Sequence, residues 1–315
     1  MRALLIVNPH ATTTTARARD VLVSALGDVV KVDVALTESR HHASALAAQA
    51  VDDGREVVIA FGGDGTINEI VNGLLGDGTT PAADLPVVGV VPGGSSNVFA
   101  RALGFPDDPV EATGALLESL RGGATRAIGL GRADQRWFTF TAGIGLDAGA
   151  VERVEKARDK GRRVTDALYV RAAVAQWLLA TKHREQPVTA TLGDGEVLRL
   201  GHAMVTNTSP WTYLGPREIV LTPNTTFETG LGLFGLAKLP MLSTLHAVSQ
   251  LLREQAPHTK HAVIREDLSE VVLRADRELP FEVDGDSVDH RSSVTVRAHP
   301  DALRVFAPVP AEEPA

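Results

Sequence analysis

The stretch that most constrains the fold is Val57-Val-Ile-Ala-Phe-Gly62-Gly-Asp-Gly-Thr66-Ile-Asn-Glu69-Ile-Val-Asn-Gly-Leu-Leu75. Its opening run is apolar and β-branched, the pattern of a strand buried on both faces. After the glycines, Ile67, Ile70, Val71, Leu74 and Leu75 fall on one helical face. A strand that passes straight into a helix through such a turn is a βα unit of a parallel sheet. Glycines at 62, 63 and 65 permit positive φ and let backbone N–H groups approach an anion, and the helix N-terminus adds partial positive charge. Thr66, with Glu69 three residues on, reads as a capping box. The turn is not a Walker loop, because no Gly-Lys-Ser/Thr follows. Nor is it a dinucleotide fingerprint, because Asn68 stands where the third glycine of GxGxxG would fall.

A second segment repeats the arrangement. Val87–Val91 leads through Pro92-Gly-Gly-Ser95-Ser-Asn97 into another helix start. In a parallel sheet both turns open at the carboxyl ends of the strands, where α/β proteins bind ligands. Two turns on one rim offer a larger phosphate-binding surface than either alone. Each also has a plainer reading, as a tight or capped connection with no ligand.

Residues 1–125 continue in this style. Ala3–Val7 and Val32–Leu36 are further short apolar runs, and Ala43, Leu46, Ala47, Ala50 and Val51 form a helical stripe with Ser39 available as its cap. The expected first domain is a doubly wound, Rossmann-like α/β domain. From Arg126 the pattern changes to short strands, among them Trp137–Thr141, Val188–Leu192, His202–Thr206, Leu231–Leu236, Pro280–Val283 and Val294–Ala298. Gly-Asp-Gly at 193–195 and Asp-Gly at 284–285 are hairpin turns. Residues 126–307 are therefore expected to form a mainly antiparallel, β-sandwich-like domain. It would contain two helical stretches, 148–180 and 241–252, and be followed by a frayed tail at 308–315.

The absence of cysteine excludes disulfides, zinc–thiolate sites and thiol nucleophiles, and a formal charge of −8 argues against general nucleic-acid binding. No apolar run approaches the ~20 residues that cross a bilayer. Asn8-Pro9 stops the opening run, so neither a membrane span nor a signal peptide is expected and the chain reads as cytoplasmic. Against the acidic background, 152–166 carries Arg153, Lys156, Arg158, Lys160, Arg162 and Arg163, and leads into an apolar stripe with Tyr169 and Trp177. Residues 153–178 read either as a segment that rests on the anionic inner face of a membrane or as a solvated face above a core stripe. Trp211, Tyr213 and Leu214 would line an acyl pocket or simply pack. Nothing in the sequence sets the oligomeric state.

Asn8-Pro9 after the first strand, GGDGTINEIVNGL at 62–74, PGGSSNVFAR at 92–101, AGIGLDA at 142–148 and EVDGD at 282–286 together resemble the diacylglycerol kinase catalytic-domain family. That family includes bacterial lipid kinases and sphingosine and ceramide kinases. The resemblance implies ATP- and Mg²⁺-dependent transfer of a γ-phosphoryl group to a lipid hydroxyl, diacylglycerol above all, with ATP in a cleft between the two domains. It implies nucleotide contacts at Asn8, Thr37, Gly62, Gly63, Asp64, Gly65, Thr66, Ile67, Asn68 and Ser95. Asp64 would also take part in catalysis through a Mg²⁺ ion, directly or through water. Asp286 stands where the family usually carries a glutamate general base. Without the resemblance, Asp284-Gly285-Asp286 is a hairpin turn, Thr37 a cap or turn residue and Asp64 a turn residue.

Two departures stand out. Val98 and Thr229 occupy positions where the family often has aspartates of its metal network, and Glu228 next to Thr229 would face the other way on a strand. The sequence leaves open whether a second, structural metal site survives these departures. His41 and His42, ~100° apart at a helix start, read as surface or capping groups, and Asp147 as loop-structuring at least as much as chemical. A kinase of a soluble hydroxyl substrate such as NAD remains open, since GGDGT is shared with NAD kinases. So does a catalytically weak lipid- or nucleotide-binding regulator.

Overall fold

The computed structural model describes residues 1–145, 188–237, 249–250, 253, 256–257 and 259–308, with the Leu214 side chain excepted. Asp147, the expected helix at 148–180 with its basic and aromatic residues, most of that at 241–252 and the tail from 309 lie outside the described residues. The chain forms two compact units, Met1–Gly129 joined by the stretch that begins at Asp301, and Leu130–Pro300. This corrects the boundary expected at 307. The chain re-enters the first unit after Pro300, where Val305 pairs in parallel with Val88 and Ser119 Oγ donates to the Ala307 carbonyl at 2.9 Å.

In the first unit β1 (Arg2–Val7), α1 (Ala16–Gly27), β2 (Lys31–Leu36), α2 (His42–Asp52), β3 (Val57–Gly62), α3 (Asp64–Leu75), β4 (Val87–Pro92), α4 (Val98–Ala102) and α5 (Pro109–Gly122) follow in order. The strands lie parallel in the order β2-β1-β3-β4. Every residue of β3 and β4 is buried, which explains why both read as unbroken apolar runs. The edge strand β2 instead exposes Val34 and Leu36. Helix α3 buries Ile67, Ile70, Val71 and Leu74. At roughly 1.5–3 kcal/mol for each fully buried side chain, this face anchors the helix behind the glycine turn. The order reverses between β1 and β3, so the topological switch point lies at their carboxyl ends.

The second unit contains β5 (Thr125–Ala133) from Leu130 onward, then β6 (Arg136–Phe138), β7 (Thr141–Ile144), β8 (Val188–Leu192), β9 (Val197–Leu200), β10 (His202–Thr206), β11 (Thr212–Leu214), β12 (Arg217–Ile219), β13 (Leu231–Leu236), β14 (Ala262–Leu268), β15 (Glu270–Val283) and β16 (Asp286–Phe306) up to Pro300. Its strands pair antiparallel in the order β14-β13-β10-β7-β15-β16, with the β8–β9 hairpin on β15. Phe138, Ile144, Leu200, Leu233, Leu273 and Phe281 are among the buried side chains of its core. Both expected hairpins form. Val283 pairs with Asp286 around Asp284 (φ 49°) and Gly285 (φ 77°), the two left-handed residues that a type I′ turn requires. The single strand expected over Trp137–Thr141 is instead broken into β6 and β7. The N–H groups of Thr139, Phe140 and Thr141 turn away from the ladder toward the Asp284 carboxylate.

Candidate active site

Within the first unit, most of the residues singled out for the nucleotide meet along one rim. Thr37, Asn8, the 62–66 turn and Ser95 stand at the ends of four adjacent parallel strands, so the row spans about 14 Å at ~4.8 Å per strand. Thr37 N–H donates to the Val7 carbonyl at 2.9 Å and Asn8 N–H to the Phe61 carbonyl at 3.0 Å. Asn8 Nδ2 then donates to Thr66 Oγ1 at 3.0 Å, a bond that closes the switch point. Ile67 and Asn68 are buried inside α3. Ser95 is exposed at the tip of its turn.

The glycines of this rim do not serve positive φ; none at 62, 63 or 65 adopts it, and Gly63 is extended at φ −90°. They allow two backbones to touch. Gly93 N–H donates to the Gly62 carbonyl at 2.8 Å. A Cβ on Gly94 would stand 2.7 Å from the Gly63 Cα, and one on Gly93 2.9 Å from the Gly62 Cα. The two loops are thus one packed body. Among the described residues, the N–H groups of Gly63, Gly65, Ser95 and Ser96 find no protein acceptor. These donors, with the N-terminus of α3 beside them, are chemically suited to a polyphosphate.

Asp64 bridges the two loops. Its Oδ2 accepts the Val98 N–H and its Oδ1 the Phe99 N–H, each at 3.1 Å, so the carboxylate caps α4 from the neighbouring turn. Asn97, left-handed at φ 48°, supports the same loop: its Oδ1 accepts the Gly94 N–H and its Nδ2 donates to Asp107 Oδ1, both at 2.8 Å.

The capping box is a misreading. The N-cap of α3 is Gly63, with no side-chain cap bond. Thr66 holds Asn8, and Glu69 caps a different helix, its Oε1 accepting the His41 N–H at 2.9 Å and its Oε2 the Ala43 N–H at 3.2 Å. Ser39 is not the side-chain cap of α2 either; its carbonyl accepts the His42 N–H. His42 is a local brace whose Nδ1 accepts the Glu38 N–H at 3.0 Å. The reading of the two histidines as capping or surface groups is consistent with this.

In the second unit the two aspartates of the 284–286 turn separate. Asp284 is 4 % exposed. Its Oδ2 accepts from Thr139 N–H (2.8 Å) and Thr139 Oγ1 (2.9 Å), and its Oδ1 from Phe140 N–H (2.9 Å) and Thr141 N–H (3.0 Å). From the other side, the buried Glu282 accepts the Gly285 N–H at 2.9 Å. Asn207 extends this support by donating to the Thr139 carbonyl at 3.1 Å. A carboxylate saturated in this way holds shape rather than moving protons, whereas Asp286 is only half-buried. No motif identified Glu282, Thr139 or Asn207 as this support; they come from strands far apart in sequence.

The departures at 98 and 229 carry through to three dimensions. Val98 is buried, and Thr229 Oγ1 bonds within its own turn, accepting the Thr226 N–H at 2.9 Å. No group of three or more His, Asp or Glu able to hold a metal occurs among the described residues. The donor set does not fit a structural metal at these positions. Elsewhere in the second unit Trp211 packs against Met204, Leu221, Phe234 and Leu236, and Tyr213 is buried. His202 is buried edge-on to Phe234, and burial lowers its pKa to about 4, so it is neutral near pH 7. No helix among the described residues is long and apolar enough to cross a membrane.

The family model for the diacylglycerol kinase catalytic domain matches residues 2–133, the span of β1 to β5 that carries the rim. Residues 2–133 are thus similar to the diacylglycerol kinase catalytic-domain family. The resemblance read from the motifs is borne out there. A "Diacylglycerol kinase" of Bacillus subtilis (strain 168) is 35% identical over 153 residues, 46% of each chain. A Chromohalobacter salexigens protein named "Probable lipid kinase YegS-like" is 39% identical over 103 residues, 33% of this chain and 31% of that one. The aligned stretches therefore span less than half of the curated relatives they match. A crystal structure described as a diacylglycerol kinase from Bacillus anthracis str. Sterne gives a TM-score of 0.70 at 19% identity, covering 97% of this chain and 96% of its own, which shows the shared fold.

Proposed function

We propose that the chain is an ATP-dependent lipid kinase that phosphorylates a lipid hydroxyl, with diacylglycerol as the leading acceptor. The observation that carries this reading is the set of acceptor-free N–H groups at 63, 65, 95 and 96, on a rim within the diacylglycerol kinase catalytic-domain match. Backbone amides and the Asn8, Thr37, Thr66 and Ser95 side chains would bind the nucleotide without a Walker lysine. Mg²⁺ brought with ATP would neutralise charge on the phosphates, with Asp64 as its protein neighbour. The lipid oxygen forms the new P–O bond as the bond to ADP breaks, and its proton passes to Asp286 as general base. Because aspartate is one methylene shorter than the usual glutamate, the acceptor oxygen has to approach the turn more closely.

The test is transfer from labelled ATP to a panel of lipids in mixed micelles, with nucleotide binding followed by calorimetry. Labelled phosphatidic acid from diacylglycerol is the expected result. Intact ATP binding with no labelled lipid from any acceptor would overturn the reading, and NADP formation would replace it with a soluble-substrate kinase. Peripheral membrane contact through 153–178 belongs to the same proposal and is checked by co-sedimentation with anionic vesicles.

A further inference from the structure

Glu69 belongs to the helix that begins at the glycine turn, yet its carboxylate serves the neighbouring loop. That loop, from Thr37 to His41, leaves the edge strand β2 at the end of the rim. Close to it in sequence, His42 Nδ1 accepts the Glu38 N–H and the Ser39 carbonyl accepts the His42 N–H. His41, the N-cap of α2, is left-handed at φ 63° and makes no side-chain cap bond, a conformation costing a non-glycine residue roughly 1–2 kcal/mol. Glu69 supplies both missing acceptors, Oε1 to His41 N–H and Oε2 to Ala43 N–H. One turn further along α3, Gly73 lets the two helices touch backbone to backbone, since a Cβ there would collide with the Ser44 carbonyl. Helix α2 is therefore held to α3 at two successive points on one face. The charge also suits its place, because a carboxylate at a helix N-terminus interacts favourably with the dipole.

We infer that Glu69 is a positioning residue that sets the register of the Thr37–His41 loop against the anion-binding turn at 62–66. The inference rests on the proposed nucleotide role of that rim. Helix α3 is the common frame, offering Gly65 N–H and the Thr66 hydroxyl from its first turn and gripping the neighbouring loop from its second. Glu69 does not touch the nucleotide. Its loss acts on nucleotide affinity through the position of Thr37.

Glu69→Ala and Glu69→Gln in the full chain test this by two independent readouts. Hydrogen exchange across 38–45 should accelerate in Glu69→Ala, and less in Glu69→Gln, which keeps one acceptor oxygen. ATP titration should show affinity about tenfold weaker in Glu69→Ala, as expected for losing roughly one charge-assisted hydrogen bond's worth of ordering, with Glu69→Gln between it and wild type. In turnover, KM for ATP should rise while kcat stays within twofold. Unchanged exchange at 38–45, or faster exchange with ATP affinity within twofold of wild type, would overturn the inference. Wild-type protein that binds no ATP would instead sink the proposed function, and with it the predicted effect on affinity. The exchange readout would still decide whether Glu69 holds the loop.

Discussion

The turn at Gly62–Gly65 and the turn at Asp284–Asp286 look alike in sequence, each setting carboxylates among glycines after an apolar run, but they are built on opposite principles. In the first turn Gly63 has ordinary φ and is needed because the Gly94 backbone lies against it, 3.1 Å from where a Cβ would stand. At 284–286 nothing lies within 4 Å of a Cβ on Gly285, and the residue is needed for its φ of 77°. The carboxylates differ as well. Asp64 accepts one N–H per oxygen from a neighbouring loop, whereas Asp284 accepts four hydrogen bonds from one strand break, beside a half-buried Asp286. A glycine-flanked aspartate in a sequence thus identifies a turn, and only the contacts separate brace from reagent.

The contrast within the second turn gives the largest predicted effects. Asp286→Asn should lower turnover by about 10²–10⁴, the range of a lost general base, while ATP binding persists; retained turnover removes Asp286 from that role. Asp284→Ala should instead act on the fold, costing more than about 3 kcal/mol because it orphans buried N–H groups. Its urea midpoint measures this, and a loss below 1 kcal/mol would show that Asp284 is not the brace described. The two variants should therefore exchange phenotypes, one inactive and stable, the other unstable.

Acid offers a probe of buried His202 in the second unit. His202 has its folded pKa depressed from 6.5 to about 4, so the unfolded chain takes up the proton first. Stability is unaffected above pH 6.5 and falls progressively as pH drops toward 4, by about 3 kcal/mol in all. His202→Phe should flatten that acid limb, as read from denaturant midpoints between pH 7 and 4.5. An unchanged slope would assign the acid loss to other groups. The smallest effects contrast the two glycine roles. Gly94→Ala, which drives a Cβ against the Gly63 backbone, should cost about 2–3 kcal/mol, and Gly285→Ala, with open space but positive φ, about 1 kcal/mol. Thermal melts of the two variants give the order, and a reversal would contradict the packed-loop account.

The parallel strands of the first unit were legible because β3 and β4 are buried on both faces, so local composition and global burial agree. The hairpins at 193–195 and 284–285 were legible because turn chemistry is local. Helices α1 and α5 escaped although their caps are written in the chain: Thr15 accepts the Ala18 N–H, and Asp108, ahead of Pro109, accepts from Val110 and Glu111. The misread residues are those whose partners are remote. Glu69 fits a capping box for its own helix, but its carboxylate reaches back 28 positions to His41. Trp137–Thr141 reads as one strand, but Asp284, from 145 positions away, draws off the N–H groups that would have continued it.

By itself the sequence determined the α/β and antiparallel characters of the two units, the rim where strands meet glycine turns, and the family resemblance of residues 2–133. Each follows from short-range rules of burial period, turn geometry and motif order. The tertiary structure alone decided which glycines separate backbones and which supply positive φ, which helix Glu69 caps, and where the chain returns to its first unit. The physical reason is common to all of these. A hydrogen-bonding group is satisfied by whichever partner folding brings within about 3 Å, and for these residues that partner lies in another segment of the chain.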